Sequence, residues 1–98
     1  MVKVAVVGSI AMDLVVTSAV RPGAGETVLG EGFVTVPGGK GANQAVAAAR
    51  LGADVSMIGC VGDDYYGRQL IDNLKQNSVS VDYVKRVTET STGTAHIV

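Results

Sequence analysis

The chain has 98 residues, of which 47% are hydrophobic and 17% charged, a composition typical of one globular domain and unlike that of a disordered or collagen-like chain. Eight basic and nine acidic residues give a formal net charge of −1, and because the basic residues are scattered, no nucleic-acid-binding surface is expected. The single cysteine, Cys60, excludes an intrachain disulfide and a thiolate metal site, so a reducing cytoplasm is the expected location.

The first third of the chain is predicted to be rich in strands. Val2–Val7 reads as a strand buried on both faces, as in a parallel sheet, and its apolar run Val4–Val7 is far shorter than the roughly 20 residues of a membrane span. A second short strand is predicted at Leu14–Thr17, a turn at Arg21–Gly25 and a longer strand at Thr27–Val36.

Helices are predicted after this strand-rich region. The stretch Pro37–Gly41 breaks the third strand, and the alanine-rich segment Ala42–Leu51 predicts a helix with Gly52 as its C-terminal stop. Asp54–Cys60 is predicted to be another strand, mostly apolar.

The second half of the chain repeats this alternation. Asp63 and Asp64 precede a helix predicted at Tyr65–Gln76 and are interpreted as its cap and first-turn acids. Tyr83–Val87 and Thr92–Val98 are predicted strands, the latter half-buried. The order predicts a doubly wound α/β unit with a small β excursion.

The length indicates an incomplete domain. A chain of this size buries only about 60 to 70% of its unfolded surface, which is marginal for a sheet that needs cover on both faces. Its last five residues, Thr94–Val98, are strand-like, whereas chain ends are usually polar. We therefore expect the sequence to be part of a longer domain.

The most informative segment is Gly38–Asn43, where a glycine-rich turn opens the first helix. Free backbone N–H groups and the positive end of the helix dipole favour oxygen-rich ligands there. The dipole does not explain Lys40, which a purely structural turn would not need. A Walker loop is excluded because Gly41 follows Lys40 where Ser or Thr is required, and a dinucleotide fingerprint is excluded because Gln44 occupies its third glycine position.

A second candidate segment, Gly8–Asp13, follows the first strand at the edge where open α/β sheets bind ligands. Asp13 can accept two hydroxyl hydrogen bonds, which suits a sugar, although an Asx-type turn is the structural alternative. His96 and Cys60 are interpreted as structural, and no Ser/His/Asp or Cys/His system can be assembled.

Several motifs occur in order and carry a family resemblance: Gly8-Ser9-Ile10-Ala11-Met12-Asp13, Gly25-Glu26-Thr27, Gly38-Gly39-Lys40-Gly41-Ala42-Asn43-Gln44-Ala45, Arg50-Leu51-Gly52-Ala53 and Val61-Gly62-Asp63-Asp64. Together they resemble the N-terminal part of the PfkB carbohydrate kinase family, and the Gly38–Gln44 stretch resembles its ribokinase-like members. The resemblance spans essentially the whole chain. It implies a Rossmann-like parallel sheet with helices on both faces, incomplete here, and a small β lid formed by segments at about 14–36 and 92–98.

The resemblance also implies an activity. Members of this kind transfer phosphate from ATP to the 5-hydroxyl of D-ribose, with Mg²⁺ and a monovalent cation, and pair as homodimers through the lid. The residues implied to bind the sugar are Ala11, Met12, Asp13, Gly39, Lys40, Gly41, Ala42 and Asn43. The family's catalytic aspartate lies in a Gly-Ala-Gly-Asp motif that these 98 residues lack, as they lack the nucleotide and cation sites, so the chain alone is expected to be inactive.

Three alternatives stay open. Ala11 stands where bacterial ribokinases commonly have asparagine, so another PfkB kinase acting on deoxyribose, fructose or a nucleoside is possible. A non-catalytic binding or dimerisation module is the second alternative. A nucleotide-binding Rossmann module is the third, and it is disfavoured by the two failed motifs.

Overall fold

Residues 2–19, 21, 23–27 and 29–97 are described by the computed structural model of the chain, and within these ranges it forms six strands and two helices. Their bounds are β1 Lys3–Val7, β2 Ala11–Thr17, β3 Gly32–Gly38, α1 Lys40–Arg50, β4 Asp54–Gly62, α2 Tyr65–Gln76, β5 Val79–Val87 and β6 Gly93–Ile97. The strands form two separate three-stranded sheets. The predicted α/β class with a parallel sheet and a small β excursion is therefore confirmed.

The larger layer is a parallel sheet in the order β1-β4-β5. Helices α1 and α2 connect its strands and share one core with them, formed mainly by β4 and by the α2 residues that helical spacing predicts on one face. Leu70, Ile71 and Leu74 are all buried there. Arg50 donates a hydrogen bond of 3.0 Å to Asn77, which joins the C-terminal ends of the two helices and places them side by side on the same face of the sheet.

The opposite face of the parallel sheet is open in the described part of the chain. Val7 is 77% exposed, Tyr83 is 66% exposed and Cys60 is exposed, although all three lie on strands. The prediction that the strand Val2–Val7 is buried on both faces is therefore wrong, because alternate residues of β1, including Val7, are exposed. The physical reason is that both described helices cover the other face, and β1 is an edge strand.

The smaller layer is a sheet in the order β3-β2-β6, with β2 antiparallel to β3 and parallel to β6. The strand predicted from Thr27 begins only at Gly32, after the amide of Glu31 donates to the carbonyl of Thr17 and closes the hairpin. β6 confirms the strand predicted at the end of the chain, but it is exposed along its whole length, so the predicted half-burial is wrong. Pro22, Val28 and Val98, which fall in a predicted turn and two predicted strands, lie outside the described residues.

Helix boundaries follow from backbone geometry. α1 begins at Lys40, two residues before the prediction, because Gly39 adopts a φ of 90° and acts as its N-cap. Gly52 stops α1 as predicted, with a φ of 97°. β5 starts at Val79, four residues before the predicted Tyr83. Among the described residues, no helix is long and apolar enough to cross a membrane.

The chain passes between the two sheets three times. Residues 8–10 lead from β1 to β2, Gly39 leads from β3 to α1, and residues 88–92 lead from β5 to β6. The first two passages lie side by side, because α1 begins against the loop that follows β1. Both segments that the sequence singles out therefore lie at the junction of the sheets.

Candidate functional site

The start of α1 is fixed to the loop after β1 by backbone contacts. The amide of Ala42 donates a hydrogen bond of 3.0 Å to the carbonyl of Ser9. Gly41 lies so close to Gly8 that a Cβ atom on Gly41 would be 2.8 Å from the Gly8 Cα. A Cβ on Gly39 would be 2.6 Å from the Ser9 carbonyl oxygen. These glycines are thus required by contact between two backbone segments.

No residue of α1 neutralises the positive dipole end at the N-terminus of this helix. Its first turn contains no acidic residue, and no side chain caps it. The amides of Lys40 and Gly41 have no hydrogen-bond acceptor among residues 2–19, 21, 23–27 and 29–97, whereas that of Ala42 is used by Ser9. Two free N–H donors and the positive dipole end therefore remain for an oxygen-rich ligand.

Asp13 lies on β2, the central strand of the small sheet, where its Cα neighbours are Val36 on β3 and Ala95 on β6. A Cβ atom on Gly38 would be 2.6 Å from both carboxylate oxygens, so the carboxylate lies against the backbone directly before the N-cap of α1. In the part of the chain that the structure describes, this carboxylate has no hydrogen-bond or ion-pair partner. It is half-buried and can accept hydrogen bonds from hydroxyl groups.

The remaining predicted residues divide into two groups. Lys40 is exposed at the start of α1, forms no ion pair with the described residues and lies two positions after Gly38. Ala11 contacts the same region, since a Cβ on Gly39 would be 2.9 Å from its backbone nitrogen. The structure thus brings Ala11, Asp13, Gly39 and Lys40 together.

Met12 and Asn43 point elsewhere. Met12 is only 2% exposed and, because neighbouring residues of a strand face opposite sides, is directed away from Asp13. It lines a groove of about 330 Å³ beside α2, together with Thr35 and Pro37 of β3. Asn43 lines a second groove of about 280 Å³ between α1 and α2. Both grooves therefore lie outside the Asp13 cluster.

The described residues contain no group of three or more His, Cys, Asp or Glu side chains that could hold a metal ion. His96 is exposed on β6, and Cys60 is exposed on β4. The Mg²⁺ and monovalent-cation sites that the resemblance implies do not fit these residues, so we assign no chemistry in this chain to either ion.

A polar cluster links the two sheets where residues 88–92 lead from β5 to β6. The sequence predicts only part of this cluster. Asp64 is the N-cap of α2, which confirms the cap predicted for the pair Asp63 and Asp64, and it accepts a hydrogen bond of 2.8 Å from the amide of Gly67. The first turn of α2 contains no acidic residue, so the predicted first-turn acid is wrong. It also accepts two from Thr92, at 2.5 Å from the hydroxyl and 2.8 Å from the amide. These contacts, with the charge of Arg68 in a smaller role, lower the pKa of Asp64. Thr92 lies 28 positions away, and no sequence signal pairs it with Asp64.

The chain is similar to known proteins over essentially its whole length. The sequence pattern described as pfkB family carbohydrate kinase matches residues 1–98. A ribokinase of Bacillus subtilis (strain 168) is 67% identical over 96 residues, covering 98% of this chain and 33% of that protein. A ribokinase of Lactococcus lactis subsp. lactis (strain IL1403) is 56% identical over 98 residues, covering 99% of this chain and 32% of that protein.

A solved structure is similar as well. The structure of Arabidopsis thaliana ribokinase complexed with ribose and ATP superposes with a TM-score of 0.80 at 37% identity, covering 94% of this chain and 30% of that one. The chain thus spans about a third of the length of the curated relatives it matches. Since the family pattern covers every residue of the sequence, the chain belongs to the pfkB family of carbohydrate kinases.

Proposed function

We propose that this chain forms the sugar-binding part of an ATP-dependent kinase that phosphorylates D-ribose on its 5-hydroxyl group. The observation that carries the proposal is the Asp13 carboxylate, which has no partner among the described residues and lies against Gly38 directly before the start of α1. Its position combines a hydroxyl acceptor with the free N–H donors of Lys40 and Gly41, a combination suited to a neutral polyol. Ribokinases at 67% and 56% identity support ribose as the acceptor.

In this proposal these residues hold the acceptor sugar. Asp13 accepts hydrogen bonds from two ribose hydroxyls, and the start of α1 donates to sugar oxygens through Gly39 and Lys40, whereas Asn43 lines the groove between α1 and α2. Ala11, Met12, Gly41 and Ala42 complete the wall of the pocket; Met12 contributes backbone there, because its side chain is buried on the other face. Fixing the sugar in one orientation lowers the entropic barrier to transfer.

The chemical step needs groups outside these residues. When bound, ATP supplies the phosphoryl group: a bond forms between its γ-phosphorus and the ribose 5-oxygen, the bond to ADP breaks, and the hydroxyl proton leaves to a base. By resemblance that base is an aspartate absent from this chain. We therefore assign acceptor positioning to residues 1–98, and propose Mg²⁺ and a monovalent cation as cofactors of the complete protein.

We also propose that residues 1–98 are the N-terminal portion of a PfkB domain and that the small sheet is its lid, with segments at about 14–36 and 92–98. A lid that also pairs two subunits into a homodimer is supported by apolar exposure on its outer strands, with Phe33 60% and Ile97 43% exposed. The net charge of −1 and the single cysteine favour a neutral substrate and a cytoplasmic location.

The test is a comparison of acceptors with the protein made from the complete open reading frame. ADP release is measured with ribose, deoxyribose, fructose and a nucleoside, and ribose is expected to have the highest kcat/KM. A preference for another acceptor, which Ala11 leaves open, would overturn the ribose assignment. Absence of transfer to all four would overturn the kinase assignment.

Asp13→Asn tests the site itself. Loss of a charged hydrogen-bond acceptor is expected to raise the sugar KM about tenfold or more while the KM for ATP stays unchanged. Asp82→Asn is the matched control, because Asp82 is exposed on β5, outside the small sheet. An equal effect of both substitutions on the sugar KM would remove Asp13 from the site.

A further inference from the structure

We propose that Asp64 and Thr92 are positioning residues that fasten the small sheet to the parallel sheet and so hold Asp13 in place over the start of α1. The fastening is a property of the fold, and only its effect on sugar binding rests on the proposed function. Neither residue belongs to the cluster around Asp13.

The contacts form a closed network. The amide of Gly62 donates a hydrogen bond of 2.9 Å to the Thr92 hydroxyl, which donates in turn to one carboxylate oxygen of Asp64. The second carboxylate oxygen accepts from the Thr92 amide at 2.8 Å. Thr92 is the only buried polar or charged residue of the described chain. Its hydroxyl acts as both donor and acceptor, and so joins the end of β4, the N-cap of α2 and the residue before β6.

Packing around this network leaves little room for adjustment. A Cβ atom on Gly62 would collide with the carbonyl oxygen of Thr90 and lie 2.5 Å from the Thr92 nitrogen. A Cβ on Gly67 would overlap the Gly62 carbonyl oxygen and lie 3.1 Å from the Thr92 hydroxyl oxygen. The backbone of residues 90–92 thus rests directly on the end of β4 and the first turn of α2.

The network connects to Asp13 through strand register. Gly93, which follows Thr92, is the Cα neighbour of Ala11, and two residues further along each strand Ala95 is the neighbour of Asp13. β2 is bonded to β6 on one side and to β3 on the other. Fixing Thr92 therefore fixes the end of β2 that carries Asp13.

Capping alone does not account for these contacts. An N-cap carboxylate needs only the bond from the Gly67 amide, and both bonds from Thr92 come from outside the helix. Because asparagine is an equally good N-cap, Asp64→Asn keeps the cap of α2 but replaces one of the two oxygens that Thr92 uses. The two roles of Asp64 can thus be separated.

The experiment compares Asp64→Asn, Thr92→Val and Thr92→Ser with wild type in the complete protein. Asp63→Asn is the matched control, since Asp63 is the exposed neighbouring acid and no side-chain contact of it is found in the described chain. Backbone amide exchange is followed by mass spectrometry for β2, β6 and β1, and the KM values for sugar and ATP are measured in parallel.

We expect Asp64→Asn and Thr92→Val to speed exchange in β2 and β6 about tenfold, with β1 unchanged, and to raise the sugar KM by a similar factor while leaving the ATP KM within about twofold. Thr92→Ser, which keeps the hydroxyl, is expected to behave as wild type. The double variant is expected to be no worse than the more affected single variant, because both changes break one network.

If amide exchange in β2 and β6 is unchanged in Asp64→Asn, the proposed fastening of the two sheets is overturned. Should Thr92→Val fail to fold, the result for Asp64→Asn alone decides the question. Faster exchange with an unchanged sugar KM would overturn the positioning of Asp13. If wild type phosphorylates no sugar, the proposed function falls, and sugar affinity measured by calorimetry replaces KM as the second readout. A wild type that does not bind sugar overturns the positioning role, while the exchange data still decide the fastening.

Discussion

Replacing Gly38 by alanine tests whether the Asp13 carboxylate is held where the proposed sugar site requires it. The new Cβ would lie 2.6 Å from both carboxylate oxygens, whereas unbonded heavy atoms need roughly 3.4 Å or more, so the carboxylate has to move by about 0.8 Å. The backbone of Gly38 does not have a positive φ and accepts alanine without strain. The collision is with the end of a rotatable side chain, so stability is expected to change little.

The expected loss is in binding. Misaligning a hydrogen bond to a charged group costs about 1.5–3 kcal/mol, which corresponds to a rise of about 10- to 150-fold in the sugar KM. Steady-state kinetics measure this rise, and urea unfolding measures stability. Gly32→Ala is the control on the same strand, because its Cβ would meet only the Thr17 side chain, at an ordinary 3.8 Å. A sugar KM for Gly38→Ala equal to that of Gly32→Ala would refute the reasoning.

Three further predictions concern stability. Gly41→Ala is expected to lower the free energy of unfolding by about 1–3 kcal/mol, because the new Cβ meets backbone that cannot rotate away; urea unfolding showing a gain would contradict this. Leu74→Ala, at a position 1% exposed, is expected to cost about 2–5 kcal/mol, against less than about 0.5 kcal/mol for the 89%-exposed Leu51→Ala; equal midpoints in urea would contradict it. Folding lowers the pKa of Asp64 below its ordinary 3.8, so the contribution of its carboxylate to stability is complete above that pH and is lost as the pH falls through the lower folded value. In acid titrations followed by circular dichroism, the stability advantage of wild type over Asp64→Asn should therefore disappear below about pH 4. A stability difference that stays constant with pH would count against this.

Local sequence signals predict most of the elements. The bounds of α2 match the prediction residue for residue, because its cap and its apolar face are both encoded within Tyr65–Gln76. Gly52 ends α1 for the conformational reason expected of it. Burial is predicted less well, because Val7 and β6 resemble buried strands in sequence while their exposure depends on which elements cover them.

The site is also predicted only in part, because local motifs are visible in the sequence whereas contacts between distant residues are not. The segment at Gly38–Asn43 and the acid Asp13 are visible as local motifs, and the structure brings Asp13 to Gly38. The need for glycine at position 41 arises from contact with Gly8, 33 positions earlier, which no local pattern encodes. The link between Asp64 and Thr92 is equally non-local.

The parallel pairing of β2 with β6 has a consequence for the order of folding. Gly93 pairs with Ala11 across 82 positions, so this ladder cannot form until residues 93–97 have been synthesised. At about 5–20 residues per second, β2 waits roughly 4–16 seconds for its partner. During that interval the β2–β3 hairpin presents an unpaired edge able to bind another chain, so recruitment of a chaperone to the nascent hairpin would favour correct assembly.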